Sequence, residues 1–247
     1  MVALVLAIGA GAAPADLGVD GDPARDFGAW YCRHVGSGLI EQVAAGEAPS
    51  LVALTVEQLH RMLEKGIIRD GDPIELVEGL LVRKNRAAAG EGEMTHGAGH
   101  AQVLTRLVKL ERALEAFGCH LRVQLPVTLS ALSEPEPDLA IVKGSLESFA
   151  ERHPGPEDVL VLGEVADSSL GYDRGAKLRV YASAGVPSYL VVNIPERQIE
   201  CYEEPAAGQG RYQRRTDYRP GETLLLPLVG GKVLPMAVDD AFGPASR

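Results

Sequence analysis

Three charged residues lie in otherwise apolar sequence, where the burial of an isolated charge would cost free energy: Asp138, Glu164 and Lys177. Asp138 follows a proline and opens the apolar run 139–142, and Glu164 interrupts the apolar run 159–166. Lys177 lies in a segment whose pattern predicts a helix. Two carboxylates and a lysine that converge on one point are the groups that metal-dependent phosphodiester cleavage requires.

The run 159–166 predicts a central strand that is covered on both faces. Alternation along this strand places four residues on one face: Leu160, Leu162, Glu164 and Ala166. An acid on that apolar face needs a partner or a metal. A structural ion pair or a protonated buried acid explains Glu164 equally well.

Asp138, taken alone, has a simple structural explanation as a turn or cap aspartate after a proline. Asp138 becomes a candidate for a functional site only when it is considered together with Glu164. Two hard carboxylates suit Mg²⁺ or Mn²⁺, so together the two acids predict a site for one of these ions.

Lys177 shares the apolar stripe of a helix predicted over 172–184 with Tyr181 and Ala184. A lysine on such a stripe is unusual. It is either a snorkelling side chain, a partner of Asp173 one turn away, or a functional cation. In the last case it would orient the attacking water or stabilise the charge of the pentacovalent phosphorus.

Three further polar residues are candidates for the same site. Glu75, in a short predicted strand, is either a third metal ligand or a surface carboxylate of a hairpin. His100, near the start of a long predicted helix, is more simply a capping or surface histidine than a catalytic one. Gln124 either lines the site or bonds to buried backbone groups.

Composition and missing motifs exclude several other functions. No Walker loop, GxGxxG, HExxH or GxSxG motif is present, so P-loop hydrolysis, zinc proteolysis and serine hydrolysis lack support. The net charge of −10 argues against broad coating of nucleic acid but does not exclude a nuclease with a local basic rim and an acidic metal site. Three scattered cysteines favour reduced thiols and a cytoplasmic location, and no stretch is long enough to span a membrane.

The elements that must position these residues are predicted from periodicity and from turn and cap signals. They are a helix after the capping box 55–58, a hairpin over 74–83, an amphipathic helix over 99–117, strands over 121–129, 138–142 and 159–166, a helix over 172–184, a hairpin over 188–202, and short strands after 211. This order predicts an α/β fold with a mixed central sheet flanked by helices. One domain is expected over 51–247, after a poorly ordered N-terminal extension over 1–50.

Four runs occur in a set order: EPEPDLAIV (134–142), GEVADSS (163–169), YDRGAK (172–177) and YASAGVPSY (181–189). This combination resembles the Uma-type restriction endonucleases of the PD-(D/E)xK nuclease superfamily. The resemblance extends from Thr55 to about Asp240. It implies a restriction-endonuclease-like fold and a metal-dependent endonuclease that uses Mg²⁺ or Mn²⁺ and acts on DNA.

The resemblance also assigns roles to residues. The family's PD aspartate, second acid, early glutamate and helix-opening histidine fall on Asp138, Glu164, Glu75 and His100. The superfamily's usual lysine lies two residues after the second acid, where this chain has Ala166. The Uma-type pattern places a lysine on the following helix instead, and Lys177 matches it. The two acids would hold the metal, and Lys177 would position the nucleophile or stabilise charge.

Two functional hypotheses from different classes therefore remain. The first is a DNA endonuclease, which the retained trio favours. The second is a catalytically silent nuclease-fold protein that binds nucleic acid or a protein partner, which the acidic net charge favours. A hydrolase of another phosphodiester is a weaker third option. By analogy with enzymes that make two cuts in a duplex, a homodimer is expected.

Overall fold

The computed structural model describes residues 51–84 and 97–243. The predicted N-terminal extension over 1–50 lies outside the described residues, so the division of the chain into an extension and one domain stays a prediction. In the described part of the chain, no helix has the length and apolar character that crossing a membrane demands.

The strands of the described residues are, in chain order, β1 (Ile74–Val77), β2 (Leu80–Arg83), β3 (Cys119–Val123), β4 (Leu139–Lys143), β5 (Val159–Ala166), β6 (Ser188–Asn193), β7 (Gln198–Ala206), β8 (Arg211–Tyr218), β9 (Thr223–Pro227) and β10 (Val233–Ala237). Strands β3 to β8 form one six-stranded sheet in sequence order. Within this sheet β5 and β6 are parallel, and the other neighbours are antiparallel. This confirms the predicted mixed central sheet.

The helices of the described residues are α1 (Val56–Glu64), α2 (Ala98–Leu107), α3 (Glu111–Glu115), α4 (Leu170–Tyr172), α5 (Leu178–Ser183) and α6 (Val238–Phe242). The capping box of α1 forms as predicted, with Thr55 and Gln58 bonding reciprocally through side chain and backbone. The helix predicted over 99–117 is α2 and α3, joined by a 3₁₀ turn at Val108–Leu110. The helix predicted over 172–184 contains a π-helical turn, Asp173–Lys177, between α4 and α5.

The two faces of the sheet bury different apolar clusters. One cluster joins the sheet to α2, α3 and the β9–β10 hairpin through residues such as Leu107, Leu114 and Leu226. The other joins it to α5 through Val180 and Tyr181. The helical segment from α4 to α5 therefore covers the second face of the sheet.

Two details of the predicted strands are wrong. The strand predicted over 121–129 ends at Val123, because Gln124 adopts a left-handed conformation with φ of 51° and turns the chain. The register of β4 and β5 shifts between Ile141 and Val142. As a consequence of this irregularity, Leu160 and Leu162 pack in different clusters and do not share a face.

Candidate active site

Glu164 lies in the centre of the sheet, on β5 between β4 and β6. Every residue of β5 is buried, and Glu164 is 6% exposed. Lys177 ends the π-helical turn that covers this face and is itself 3% exposed. Such turns are frequent at functional sites, because the extra residue redirects side chains of the helix.

The Lys177 ammonium joins carboxylates from distant parts of the chain. Its Nζ donates to Glu75 Oε2 at 2.7 Å and to Glu164 Oε1 at 3.1 Å. It also lies 3.3 Å from the Tyr181 hydroxyl. The structure thus brings the lysine from the helix to the second acid, as the Uma-type pattern requires.

Glu75 is buried in β1 and is not a surface carboxylate of the hairpin. Its Oε2 accepts the backbone N–H of Glu136 at 3.0 Å as well as the Lys177 bond, and its Oε1 accepts the Tyr172 hydroxyl at 3.2 Å. Glu75 therefore holds Lys177 and the segment that leads into β4.

Asp138 connects the remaining candidates to Glu164. Its Oδ2 accepts the Val165 N–H at 2.8 Å and lies 3.1 Å from His100 Nε2. Its Oδ1 accepts Gln124 Nε2 at 3.2 Å. The backbone N–H of Asp138 donates to Glu164 Oε2 at 3.4 Å. His100 and Gln124 thus orient the Asp138 carboxylate beside Glu164.

Burial and unbalanced charge shift the ionisation of the two acids in opposite directions. Burial raises the pKa of Glu164 to about 8; Lys177 opposes this shift, and the charges of Asp138, Asp173 and Glu75 reinforce it. Burial also raises the pKa of Asp138, but the bonds and charge of His100 and the Val165 N–H more than offset it, so this pKa lies below its ordinary value.

The pKa of Lys177 lies above its ordinary value. Burial alone would lower it, but the carboxylates of Glu164 and Glu75 outweigh the burial and keep the ammonium charged. One lysine thus compensates two buried carboxylates while Asp138 lies beside them. The cluster carries more negative than positive charge.

This donor set fits a hard divalent cation. The backbone N–H of Asp138 contacts the Glu164 carboxylate, so the two acids are neighbours, and carboxylate oxygens are ligands that Mg²⁺ and Mn²⁺ prefer. A cation would also relieve the negative charge that raises the pKa of Glu164. Glu75 is tied to Lys177 and does not form a close three-ligand group with the two acids among the described residues.

Three residues at the site were not predicted. Tyr181 donates its hydroxyl to Glu164 Oε1 at 2.6 Å. It lies four residues after Lys177 on the same stripe, and this spacing is the signal that could have identified it. Tyr172 contacts Glu75, and buried Asp173, whose pKa burial raises to about 6, adds negative charge. The Tyr172 contact spans 97 positions and has no local signal.

The mixed sheet, the covering helix and the buried acids with a lysine define a protein of the restriction-endonuclease-like fold. The family model of Uma2, described as "Putative restriction endonuclease", matches residues 56–237, and the chain belongs to this family. A crystal structure described as a putative nuclease of DUF820 from Anabaena variabilis is similar in fold, with a TM-score of 0.53 and 12% identity. The match covers 76% of this chain and 97% of that chain. No curated protein matches the sequence.

Proposed function

We propose that the protein is a metal-dependent endonuclease that hydrolyses phosphodiester bonds of DNA. The observation that carries the proposal is the contact of the buried Lys177 ammonium with Glu164, next to Asp138. Membership of a restriction-endonuclease family supports DNA as the substrate class.

The residues of the site would divide the work. Asp138 and Glu164 would hold Mg²⁺ or Mn²⁺, which when bound lowers the pKa of water and neutralises phosphate charge. Lys177 would stabilise the negative charge that develops on the phosphoryl oxygens or orient the attacking water. Its bond to Glu75 keeps the ammonium in place. His100 and Gln124 would hold the Asp138 carboxylate in the orientation that binding requires.

The proposal extends to the whole chain. Residues 51–247 would form the nuclease domain and 1–50 an extension that the chemistry does not need. The enzyme would act in the cytoplasm, and two cuts in a duplex would favour a homodimer.

The test combines metal binding with cleavage. Mg²⁺ and Mn²⁺ are titrated by calorimetry into the wild type, Asp138→Asn and Glu164→Gln, and each protein is assayed on supercoiled plasmid. We expect the wild type to bind metal and cut, and both variants to lose at least about 100-fold in cleavage. The control is Glu200→Gln, a buried glutamate outside this cluster, which should bind metal and cut like the wild type.

A second candidate function is a silent nuclease-fold protein that binds nucleic acid or a protein partner. The net charge of −10 favours it, because acidic proteins bind phosphate backbones poorly unless a local basic surface compensates. If the wild type binds neither Mg²⁺ nor Mn²⁺ and does not cut plasmid, the nuclease proposal is wrong. This result would favour the silent, binding protein.

A further inference from the structure

A second group of metal-ligating side chains lies outside the candidate active site. It consists of His60 on α1, Glu134 in the segment that leads into β4, and His153 in the loop between β4 and β5. One ligand atom from each residue lies within 4.8 Å of the other two. The His60 Nε2 atom is 2.7 Å from Glu134 Oε1, and the two imidazole rings meet edge to face at 6.2 Å between centroids.

Glu134 is a buried carboxylate with little compensating charge. It is 4% exposed, and its backbone N–H and C=O both bond to Leu76. In the described part of the chain, His60 is the one basic side chain within ion-pair distance of its carboxylate. A buried carboxylate is costly unless it is paired with a charge or coordinates a metal. The side-chain contacts of this carboxylate are to the His60 imidazole and the Thr128 hydroxyl, so Glu134 has the environment of an acid that accepts a cation.

The surroundings of this carboxylate support coordination. The Thr128 hydroxyl donates to Glu134 Oε2 at 2.5 Å, which leaves Oε1 directed at the histidines. Carboxylates that ligate metals are commonly held by such an outer hydrogen bond. The His153 ring packs edge to face against the His60 ring, which brings a second imidazole to the same carboxylate.

We propose that His60, Glu134 and His153 form a transition-metal site that takes Zn²⁺. Two imidazole nitrogens and one carboxylate oxygen are a donor set that zinc accepts, and they leave a fourth position for water. The same donors suit Zn²⁺ better than Mg²⁺, which prefers oxygen ligands. This site is therefore distinct in chemistry from the carboxylate cluster around Glu164.

The required adjustment is small. Tetrahedral zinc with bonds of about 2.0–2.1 Å places its ligand atoms about 3.3–3.5 Å apart, and the ligand atoms of this group lie within 4.8 Å of one another, so no separation has to shorten by more than about 1.5 Å. The His60 side chain is 43% exposed and can move by rotation while Glu134 stays in place. Metal binding would replace the direct contact between His60 Nε2 and Glu134 Oε1 by bonds of both atoms to the ion.

A metal at this position would tie together three segments near the active site. Glu134 lies two residues before Glu136, whose backbone N–H bonds to Glu75. The ion would connect this segment to α1 and to the loop that carries His153. We infer a structural role, in which Zn²⁺ stabilises the folded chain by binding to it preferentially.

The test uses the full chain after treatment with a chelator. Zn²⁺ is titrated by calorimetry, Co²⁺ binding is followed by visible absorption, and the melting temperature is measured with and without Zn²⁺. The variants are His60→Ala and His153→Ala. The matched control is His120→Ala, because His120 forms the same kind of pair with Glu111 at 2.6 Å but belongs to no such three-ligand group within residues 51–84 and 97–243.

We expect the wild type and His120→Ala to bind one Zn²⁺ here, to show the intense Co²⁺ absorption of a tetrahedral site, and to melt higher with Zn²⁺. His60→Ala and His153→Ala should lose at least about 100-fold in Zn²⁺ affinity, since even outer partners of ligands change it by about 10–100-fold. Glu164→Gln should keep this binding, which separates the site from the proposed catalytic one.

No Zn²⁺ binding by the wild type would overturn the proposal, and so would binding that persists in both histidine variants. If His153→Ala does not fold, His60→Ala decides the question, because the His60 side chain is 43% exposed and Glu134 keeps its hydrogen bond from Thr128. None of the three readouts depends on DNA cleavage, so failure of the nuclease proposal leaves this test intact.

Discussion

Glu164 and Glu200 lie in one row across the central sheet, on β5 and β7, and each is paired with Val191 of the strand between them. Residues opposite one another in a row share a face, so both carboxylates are directed at the helical segment from α4 to α5. They are 6% and 0% exposed. The same π-helical turn supplies a cation to each, Lys177 to Glu164 and Arg174 to Glu200.

The Glu200 carboxylate is fully compensated. Arg174 donates hydrogen bonds to both of its oxygens through Nε and Nη2, and Nε lies 3.0 Å from Oε2. Arg215 Nη2 lies 3.4 Å from Oε2. The Tyr202 hydroxyl donates at 2.7 Å. Burial alone would raise the pKa of Glu200, but the bonds from Arg174, Tyr202 and Asn193 lower it to about 2.

The Glu164 carboxylate has the opposite balance. It shares one ammonium with Glu75 and lies beside Asp138, and its pKa is raised to about 8. Both glutamates have little exposed surface, but two guanidinium groups lie beside Glu200, whereas Glu164 has a share of one ammonium among the described residues. Side chains of the protein supply the positive charge beside Glu200, whereas the proposed metal ion would supply further positive charge beside Glu164.

The largest expected effect is that of Lys177→Met. This change leaves Glu75 and Glu164 buried without their common cation, which should lower the free energy of unfolding by about 3–5 kcal/mol. Cleavage of plasmid DNA should be lost as well, because no other cation contacts Glu164 among the described residues. Urea unfolding at pH 7 and the plasmid assay measure the two effects.

The matched control for that change is Arg174→Met on the same turn. Its side chain is 34% exposed and Arg215 remains beside Glu200, so the loss of stability should be about 1–2 kcal/mol and cleavage should persist. An equal loss of activity in both variants would show that the two clusters do not differ as argued.

Replacing each glutamate by glutamine should give effects of opposite sign. Glu200→Gln removes an ionised acceptor of several hydrogen bonds and should lower the free energy of unfolding by about 2–3 kcal/mol. Glu164→Gln should leave it unchanged or raise it by up to about 1 kcal/mol without metal, because burial disfavours its ionised form. Paired urea titrations at pH 7 in a chelator measure this difference. Destabilisation of equal size would contradict it.

Local patterns predicted much of the fold. The wholly apolar run around Glu164 predicted the central strand β5, and the reciprocal pattern of Thr55 and Gln58 predicted the start of α1. The family resemblance was confirmed over most of the chain. These signals work because strand burial and helix caps depend on residues that are neighbours in sequence.

The arrangement of the site could be predicted only in part. A charge within an apolar run marked Glu164 and Lys177, but nothing local indicates that Lys177 would contact Glu75, 102 positions away. Periodicity also failed at Gln124, where one left-handed residue ends a strand whose alternation continues. The convergence of His60 with Glu134 likewise depends on tertiary packing across 74 positions.

The pH dependence of stability should separate the two glutamates. The pKa of Glu164 rises from 4.5 to about 8 on folding, so its contribution is full below pH 4.5 and is lost as the pH rises through 8. The pKa of Glu200 falls from 4.5 to about 2, so its contribution is present above pH 4.5 and is lost as the pH falls towards 2.

Without metal, the wild type should therefore lose about 4 kcal/mol more than Glu164→Gln between pH 5 and pH 8.5. Glu200→Gln should still lose stability as the pH rises towards 8.5, but it should lose less stability than the wild type as the pH falls towards 2. Urea midpoints measured across the pH range check both windows. If the free energies of unfolding of the wild type and Glu164→Gln change in parallel over this pH range, Glu164 is already ionised in the folded protein.

The smallest effect, and the finest comparison, comes from two tyrosines in matching positions. Tyr181 donates to Glu164 at 2.6 Å and Tyr202 donates to Glu200 at 2.7 Å. Tyr202→Phe removes a bond to an ionised carboxylate and should cost about 1.5–2 kcal/mol. Tyr181→Phe removes a bond to a largely protonated one and should cost about 1 kcal/mol without metal.

In the cleavage assay, Tyr181→Phe should have the larger effect and Tyr202→Phe the smaller one. Tyr181→Phe frees a carboxylate that has to be held for metal binding and should weaken cleavage about 10-fold, whereas Tyr202→Phe should leave it unchanged. Urea unfolding in a chelator and the plasmid assay with Mg²⁺ provide the two readouts. If Tyr202→Phe also reduced cleavage, the Glu200 cluster would have to support the active site through the helical turn that both clusters share.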